Sequence, residues 1–279
     1  MIRHVDPPPA LLVALDVDGT IIDHDERLSD RVRDAVRATA DAGHHVVIAT
    51  GRSAIGTLPV LDRLGLTSGF AVCSNGAVTL RLDPGSDDGY DVVDAVTFDP
   101  APALRLLREH LPTAAYAVED LGHGFRLSGP FPENELMGRL TVVPFEELLG
   151  TPATRVVVRS PEHTPQDFLE LTSRVGLHGV NYAVGWTAWL DIAPEGVSKA
   201  SALEGVRERL GVPPESTVAV GDGRNDLEML AWAARSWAMG QSPDEVVAAA
   251  DDVAGDVVDD GLAAVLEGLA APADRRAAQ

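Results

Sequence analysis

The chain has 279 residues, enough for one large domain or a core domain with a smaller companion. A formal net charge of −21 at pH 7 denies nucleic acid the basic surface it needs, and no apolar run reaches the roughly 18–20 residues of a spanning helix, so neither nucleic acid nor a membrane is expected as a partner. Cys73 is the one cysteine, which excludes an intrachain disulfide, and Met1–Pro9 lacks the apolar stretch of a signal peptide, so a cytoplasmic protein is expected.

In chain order, apolar runs alternate with helical patterns. Leu11–Leu15 leads into Asp16-Val17-Asp18-Gly19-Thr20. Ser29 is placed to cap a helix carrying Val32, Ala35, Val36 and Thr39 that stops at Gly43. His45–Ala49 then runs into Thr50-Gly51-Arg52, and Phe70–Cys73 into Ser74-Asn75-Gly76. Asp83–Gly89 has the composition of a turn, and past it the texture changes. Strand-like segments at Asp91–Phe98, Arg155–Arg159 and Val180–Leu190 accompany helical ones at Pro102–His110 and Pro165–Val175. Ser198 is placed to cap a helix through Ala202, Leu203, Val206 and Leu210 that ends at Gly211. Finally Thr217–Val220 leads into Gly221-Asp222-Gly223 and a helix with Leu227, Leu230, Ala231 and Ala234.

Continuous apolar runs of this length suit strands buried on both faces. The alternation predicts an α/β fold, a doubly wound parallel sheet over residues 1–84 and 191–279, interrupted by an α+β module over 85–190. Ligands of such sheets bind beyond the carboxyl ends of the strands, where every polar cluster named above falls.

Asp16 and Asp18 put two carboxylates near one loop, an arrangement that favours a cation between them or a retained proton. Magnesium suits hard oxygen ligands and takes few from protein when phosphate and water complete its shell. A strand ending in an Asp-Gly turn gives the same pattern without chemistry. Asp222, flanked by glycines, is positioned to add a third carboxylate, whereas Asn225 and Asp226 fall where a helix cap would also sit. The Thr50 hydroxyl and the following N–H groups, from Gly51 on, suit phosphoryl oxygens at a helix N-terminus. Lys199 occupies a first helical turn, where the helix dipole disfavours a cation unless an anion is near.

Taken together, Asp16-Val17-Asp18-Gly19-Thr20, Thr50-Gly51-Arg52, Lys199 and Gly221-Asp222-Gly223-Arg224-Asn225-Asp226 resemble, in order, the four motifs of the haloacid dehalogenase superfamily. Asn75-Gly76-Ala77, Ala238-Met239-Gly240 and the following Pro243-Asp244-Glu245-Val246 resemble its Cof-type branch, with the middle module standing where a type IIB cap would. The resemblance implies a phosphatase for a small phosphorylated metabolite, a sugar phosphate or a cofactor phosphate. Asp16 would be the nucleophile and Asp18 the acid and base, by way of an aspartyl-phosphate. It further implies Mg2+ held by Asp16, the Asp18 backbone carbonyl and Asp222, with Asp226 supporting Lys199 or a metal-bound water, or serving as a ligand itself. Thr50, Gly51, Lys199, Asn225 and Asn75 would hold the phosphoryl group. A phosphomutase of the phosphomannomutase type shares the opening motif and cap, and a non-catalytic sensor of phosphate esters is the third reading. A monomer or small homo-oligomer is expected.

Gln241 stands where many relatives carry asparagine, with no consequence for the chemistry expected. His44, His45, His123 and His178 are scattered and read as surface or cap-loop residues, Cys73 as core. Trp186 and Trp189 suit packing of the cap or contact with substrate. His123, Arg126 and Glu133 are candidates to face a substrate.

Overall fold

A computed structural model describes residues 9–132, 135–160, 162–175, 177, 179–184 and 189–270. The first part of the chain forms β1 (Leu12–Leu15), α1 (Asp30–Asp41), β2 (His45–Ala49), α2 (Ala54–Leu64), β3 (Gly69–Cys73), β4 (Val78–Leu82) and β5 (Tyr90–Ala95). The middle supplies α3 (Ala101–His110), β6 (Ala115–Asp120), β7 (Gly124–Leu127), β8 (Arg139–Val142), α4 (Phe145–Leu148), β9 (Val156–Arg159), α5 (Pro165–Val175), β10 (Val180–Val184) and β11 (Trp189–Pro194). The last part runs α6 (Lys199–Leu210), β12 (Thr217–Gly221), α7 (Leu227–Trp232), β13 (Arg235–Ala238), α8 (Asp244–Ala249), β14 (Asp252–Val253) and α9 (Gly261–Ala270).

Two sheets result. The larger has the order β14-β13-β12-β1-β2-β3-β4-β5, parallel from β14 to β3 and antiparallel through β4 and β5. Every residue of β1 and β12 is buried, as their unbroken apolar runs require of strands covered on both faces. One face packs α1, α2 and α9 through residues such as Val36, Leu61 and Leu266; the other packs α6 and α7 through Leu203, Val206 and Leu230. From β1 the chain winds outward to β2 and β3, then returns to the other side of β1 as β12, so the winding direction reverses between β1 and β12. A crevice opens at such a reversal. The expected caps form: Ser29 Oγ accepts from Val32 N–H, Ser198 Oγ accepts from Ser201 N–H, and Gly211 ends α6 in the left-handed region.

The smaller sheet has the order β10-β11-β9-β6-β7-β8 and is antiparallel except for β7 with β8. Its side chains alternate with period two. Tyr116, Val118, Val156, Val158, Leu190 and Ile192 pack under α3 and α5 with Leu104, Leu107 and Phe168. Their sequence neighbours Ala117, Val157 and Trp189 belong to the opposite face, with Phe125, Leu127 and Leu136.

Strand pairing differs from the sequence-based boundaries at both crossings. Tyr90–Ala95 continues the larger sheet beyond β4, although it lies past residue 85, because an antiparallel hairpin to β4 is the nearest pairing open to it. Trp189–Pro194 pairs with β9 and β10 in the smaller sheet, although the core was expected to resume at 191. The segment expected as a single strand over Val180–Leu190 therefore contributes to two antiparallel strands, β10 and the start of β11. No helix among the described residues is long and apolar enough to cross a membrane.

Candidate active site

The loops after β1, β2 and β12 and the start of α6 converge at the carboxyl edge of the larger sheet. Asp16 follows β1 directly and its N–H donates to Val220 O at 3.0 Å, which locks it beside β12. Asp222 follows β12, and Asp226 closes the next turn. Asp16, Asp222 and Asp226 each contribute a carboxylate oxygen to a buried group whose members lie within 4.8 Å of one another. Lys199 Nζ sits among them, donating to Asp16 Oδ1 and to Asp226 Oδ1, each at 2.6 Å, with its side chain wholly buried. That pairing explains how a lysine occupies the first turn of a helix. Burial alone would drive its proton off, but the Asp16 and Asp226 carboxylates outweigh it, so its proton affinity lies above the ordinary lysine value.

The carboxylates carry the opposite imbalance. Burial first, then Asp226, push Asp16 up to about 7, and burial first, then Asp16, push Asp222 up to about 9. Asp222 Oδ1 accepts from the Thr20 hydroxyl at 3.4 Å, whereas Asp222 Oδ2 is buried without a hydrogen-bond donor among the described residues. Such an oxygen asks for a cation or a proton. Asp226 is differently placed: its Oδ2 accepts from the Asp222 and Gly223 N–H groups at 3.0 and 2.9 Å, so both its oxygens are occupied by protein donors.

The glycine of the first motif has a steric reason. Gly19 has φ +87°, and a Cβ there would stand 2.2 Å from Asp222 Oδ2. Gly19→Ala combines left-handed strain of about 1–2 kcal/mol with that collision. It is expected to displace the Asp222 carboxylate and cut turnover by at least tenfold, with the thermal midpoint lowered; steady-state assay and calorimetric unfolding read both. Gln241 fixes the same loop, donating from Nε2 to Gly19 O at 2.5 Å while Oε1 accepts from Val257 N–H at 3.1 Å. The residue given no role from sequence is therefore a brace for the loop that follows β1.

The Asp18 carboxylate is not part of the buried group. Its side chain is 55% exposed and takes three contacts from Arg52, Nε at 2.9 and 3.2 Å and Nη2 at 2.6 Å. Arg52 also donates to Glu26 at 3.0 Å. Arg52 was visible in its motif, but nothing in the sequence tied it to Asp18. Thr50 is fully buried, and its Oγ1 accepts from Arg52 N–H at 3.1 Å. Contrary to the expected helix N-terminus at this point, α2 starts four residues later, at Ala54, behind a Ser53 cap. Thr50 and Gly51 thus lie in the loop leading to that cap. Asn75 is in the left-handed region (φ 54°), and its Oδ1 accepts from Asn225 Nδ2 at 3.0 Å, both beside Gly51.

A cleft of about 480 Å³ opens over this edge. Asp16, Asp18, Gly51, Arg52, Asp222 and Asn225 line its floor, and the smaller sheet supplies a facing wall that includes Phe125, Arg155, Trp189 and Asp191. The two sheets are also joined by buried Glu119 of β6, whose Oε2 accepts from the hydroxyls of Ser74, at 2.7 Å, and Thr154, at 3.0 Å. Burial raises its proton affinity against those two donors and Arg155.

Trp189 both packs edge-on against Phe131 and lines the cleft. Trp186, His178 and Glu133 lie outside the described residues. Arg126 donates to Glu147 O and Thr151 Oγ1, and exposed His123 is bonded to Leu121 O; neither lines the cleft. His44 Nδ1 accepts from Leu11 N–H at 3.1 Å, and burial, then His45, lowers its proton affinity, so it serves the sheet rather than a ligand. Cys73 is buried core, its thiol pushed up to about 12 by burial.

The chain belongs to the haloacid dehalogenase-like hydrolases, whose family model matches residues 13–110 and 131–266. It is 29% identical to the pyridoxal phosphate phosphatase YbhA of Escherichia coli, covering 90% of this chain and 96% of that protein. It is 28% identical to the 5-amino-6-(5-phospho-D-ribitylamino)uracil phosphatase YitU of Bacillus subtilis, covering 92% and 96%. Among solved structures, the subclass IIB sugar phosphatase BT4131 superposes with a TM-score of 0.77 at 20% identity, over 93% of this chain and 99% of that one, which extends the likeness of fold to the cap.

Proposed function

We propose that this chain is a magnesium-dependent phosphatase that hydrolyses a small phosphorylated metabolite through an aspartyl-phosphate on Asp16, in the cytoplasm, as a monomer or small homo-oligomer. Its membership of a hydrolase family with phosphatases among its relatives makes phosphoric monoester hydrolysis the reaction. The observation that carries the finer reading is the buried group of Asp16, Asp222 and Lys199, in which Asp222 Oδ2 has no donor among the described residues. That oxygen, and hard carboxylate ligands in general, fit Mg2+. Asp16, Asp222 and the Asp18 backbone carbonyl would hold the ion, with Asp226 fixing Lys199. When bound, the ion supplies positive charge that offsets the phosphoryl oxygens.

The chain's own residues then divide the work. An Asp16 carboxylate oxygen attacks phosphorus, and the bond to the ester oxygen breaks. Asp18 lines the cleft and, released from the Arg52 ion pair and protonated, gives its proton to the leaving oxygen and then takes one from the water that attacks the phosphoryl group. Inorganic phosphate leaves and Asp16 is regenerated. Lys199, kept charged, together with Thr50, Gly51, Asn75 and Asn225, holds the phosphoryl oxygens.

Asp18→Asn is expected to slow turnover by about 10²–10⁴-fold, the range for a general acid and base, with burst kinetics separating its two steps. Parental rates for that variant would remove Asp18 from the mechanism. The reading as a whole is tested by a phosphate-release screen over phosphorylated metabolites with and without Mg2+, using Asp16→Asn as the blank. Conversion of a hexose phosphate to its isomer without free phosphate would mark a mutase, and tight ester binding with no turnover a sensor.

A further inference from the structure

The cap wall of the cleft holds a guanidinium built into place. Arg155 is 6% exposed, and its Nε donates to Asp191 Oδ1 at 2.6 Å. Its guanidinium carbon lies 5.9 Å from the Phe125 ring centre and 5.8 Å from that of Trp189, within cation–π range of both. An Arg155–Asp191 contact through Nε leaves the terminal nitrogens, which make no hydrogen bond among the described residues. They are not sealed off from solvent either, and Arg155 lines the cleft.

Among the described residues, the carboxylates on this wall each already accept a hydrogen bond. Asp191 Oδ1 takes Arg155 and Oδ2 takes Trp189 Nε1 at 2.8 Å, while both Glu135 oxygens take Arg159 Nε at 3.3 and 3.2 Å. Opposite the phosphoryl site the cleft therefore offers donors, in the rigid fork that matches two oxygens in a plane, set among aromatic and apolar surface. A structural ion pair alone would turn the terminal nitrogens, rather than Nε, to the carboxylate with equal ease.

We propose that Arg155 anchors the leaving group, so that the enzyme selects phosphate esters whose leaving group carries a planar oxygen acceptor, a carboxylate or a ring carbonyl. The proposal rests on the phosphatase reading of the same cleft and makes it more specific. Asp191 is the positioning residue, fixing which edge of the guanidinium faces inward.

The test compares kcat/KM for 2-phosphoglycolate, which bears a carboxylate, uridine 5′-phosphate, which bears ring carbonyls, and phenyl phosphate, which bears neither. The variants are Arg155→Lys and the double replacement Arg155→Met with Asp191→Asn, which removes both members of the pair and leaves buried Glu119 to its Ser74 and Thr154 donors. The parental preference for one acceptor ester over phenyl phosphate is expected to fall by about 10–100-fold in the double variant, chiefly through KM, and by less in Arg155→Lys. The ester that shows the fall identifies the source of the acceptor. Absence of a parental preference, or an equal loss for all three esters, overturns the anchor. Calorimetric binding of 2-phosphoglycolate, uridine 5′-phosphate and phenyl phosphate to Asp16→Asn keeps the two readings apart. Discriminating binding that Arg155 replacement abolishes, with no turnover by the parent, upholds the anchor and removes the hydrolase. Turnover without discrimination does the reverse, and absence of both removes both.

Discussion

Asp16→Asn is expected to bring phosphate release to background, a loss of at least about 10⁴-fold, while the protein remains folded. Asparagine keeps the shape of the side chain and an oxygen for Lys199 Nζ, now 2.6 Å from Asp16 Oδ1, but its amide is no nucleophile. Because one negative charge leaves a buried site that holds three carboxylates and one ammonium, the metal-free variant should unfold no earlier than the parent. Rapid-quench labelling with a ³²P ester should trap a phosphorylated parent and leave Asp16→Asn unlabelled. Measurable turnover by the variant, or an unlabelled parent, excludes the covalent route.

The second large effect concerns Asp222. A carboxyl whose folded-state pKa is raised binds its proton more tightly in the native than in the unfolded chain. Stability then falls as pH rises from the ordinary carboxylate range towards the folded value. With Asp222 pushed up to about 9 and Asp16 to about 7, the chelator-treated parent should lose stability steadily between about pH 4 and pH 9. Asp222→Asn resembles the protonated side chain, so its thermal midpoint should match the parent's near pH 5 and exceed it by several degrees near pH 9. Mg2+ should reverse the order, because it stabilises only the chain that can bind it, and the increment should grow with pH as protons are displaced. Thermal unfolding at pH 5, 7 and 9, with Mg2+ or with chelator, reads all four combinations. Equal stabilisation of parent and variant by Mg2+ would take Asp222 out of the metal site.

Much of this site was legible because its residues sit at the ends of apolar runs. Asp16 and Asp222 are each the first polar side chain after a strand buried on both faces, and the parallel pairing of β1 with β12 brings them together. Lys199 was legible through its discord with the helix dipole. What escaped notice depends on pairing between distant segments. Arg52 and Asp18 are 34 positions apart, and nothing local matches them. Tyr90–Ala95 has no pattern that assigns it to one sheet rather than the other, and only the hairpin to β4 decides. The cleft wall had a fainter sign: Arg155 and Asp191 are charged positions beside or within largely apolar strands, each next to a residue that packs under the cap helices. Read at period two, they mark a second face with a different purpose.

That alternation has an evolutionary corollary. In the cap, odd and even positions of one ribbon face different surroundings, the helix-packed core on one side and, on the other, a smaller apolar cluster beside the cleft. If Arg155 anchors the leaving group, change at Arg155 or Trp189 would retune what the enzyme accepts without unseating Tyr116, Val156 or Leu190. One scaffold would thereby be free to diversify its clientele while the residues at the carboxyl edge of the larger sheet stay constant.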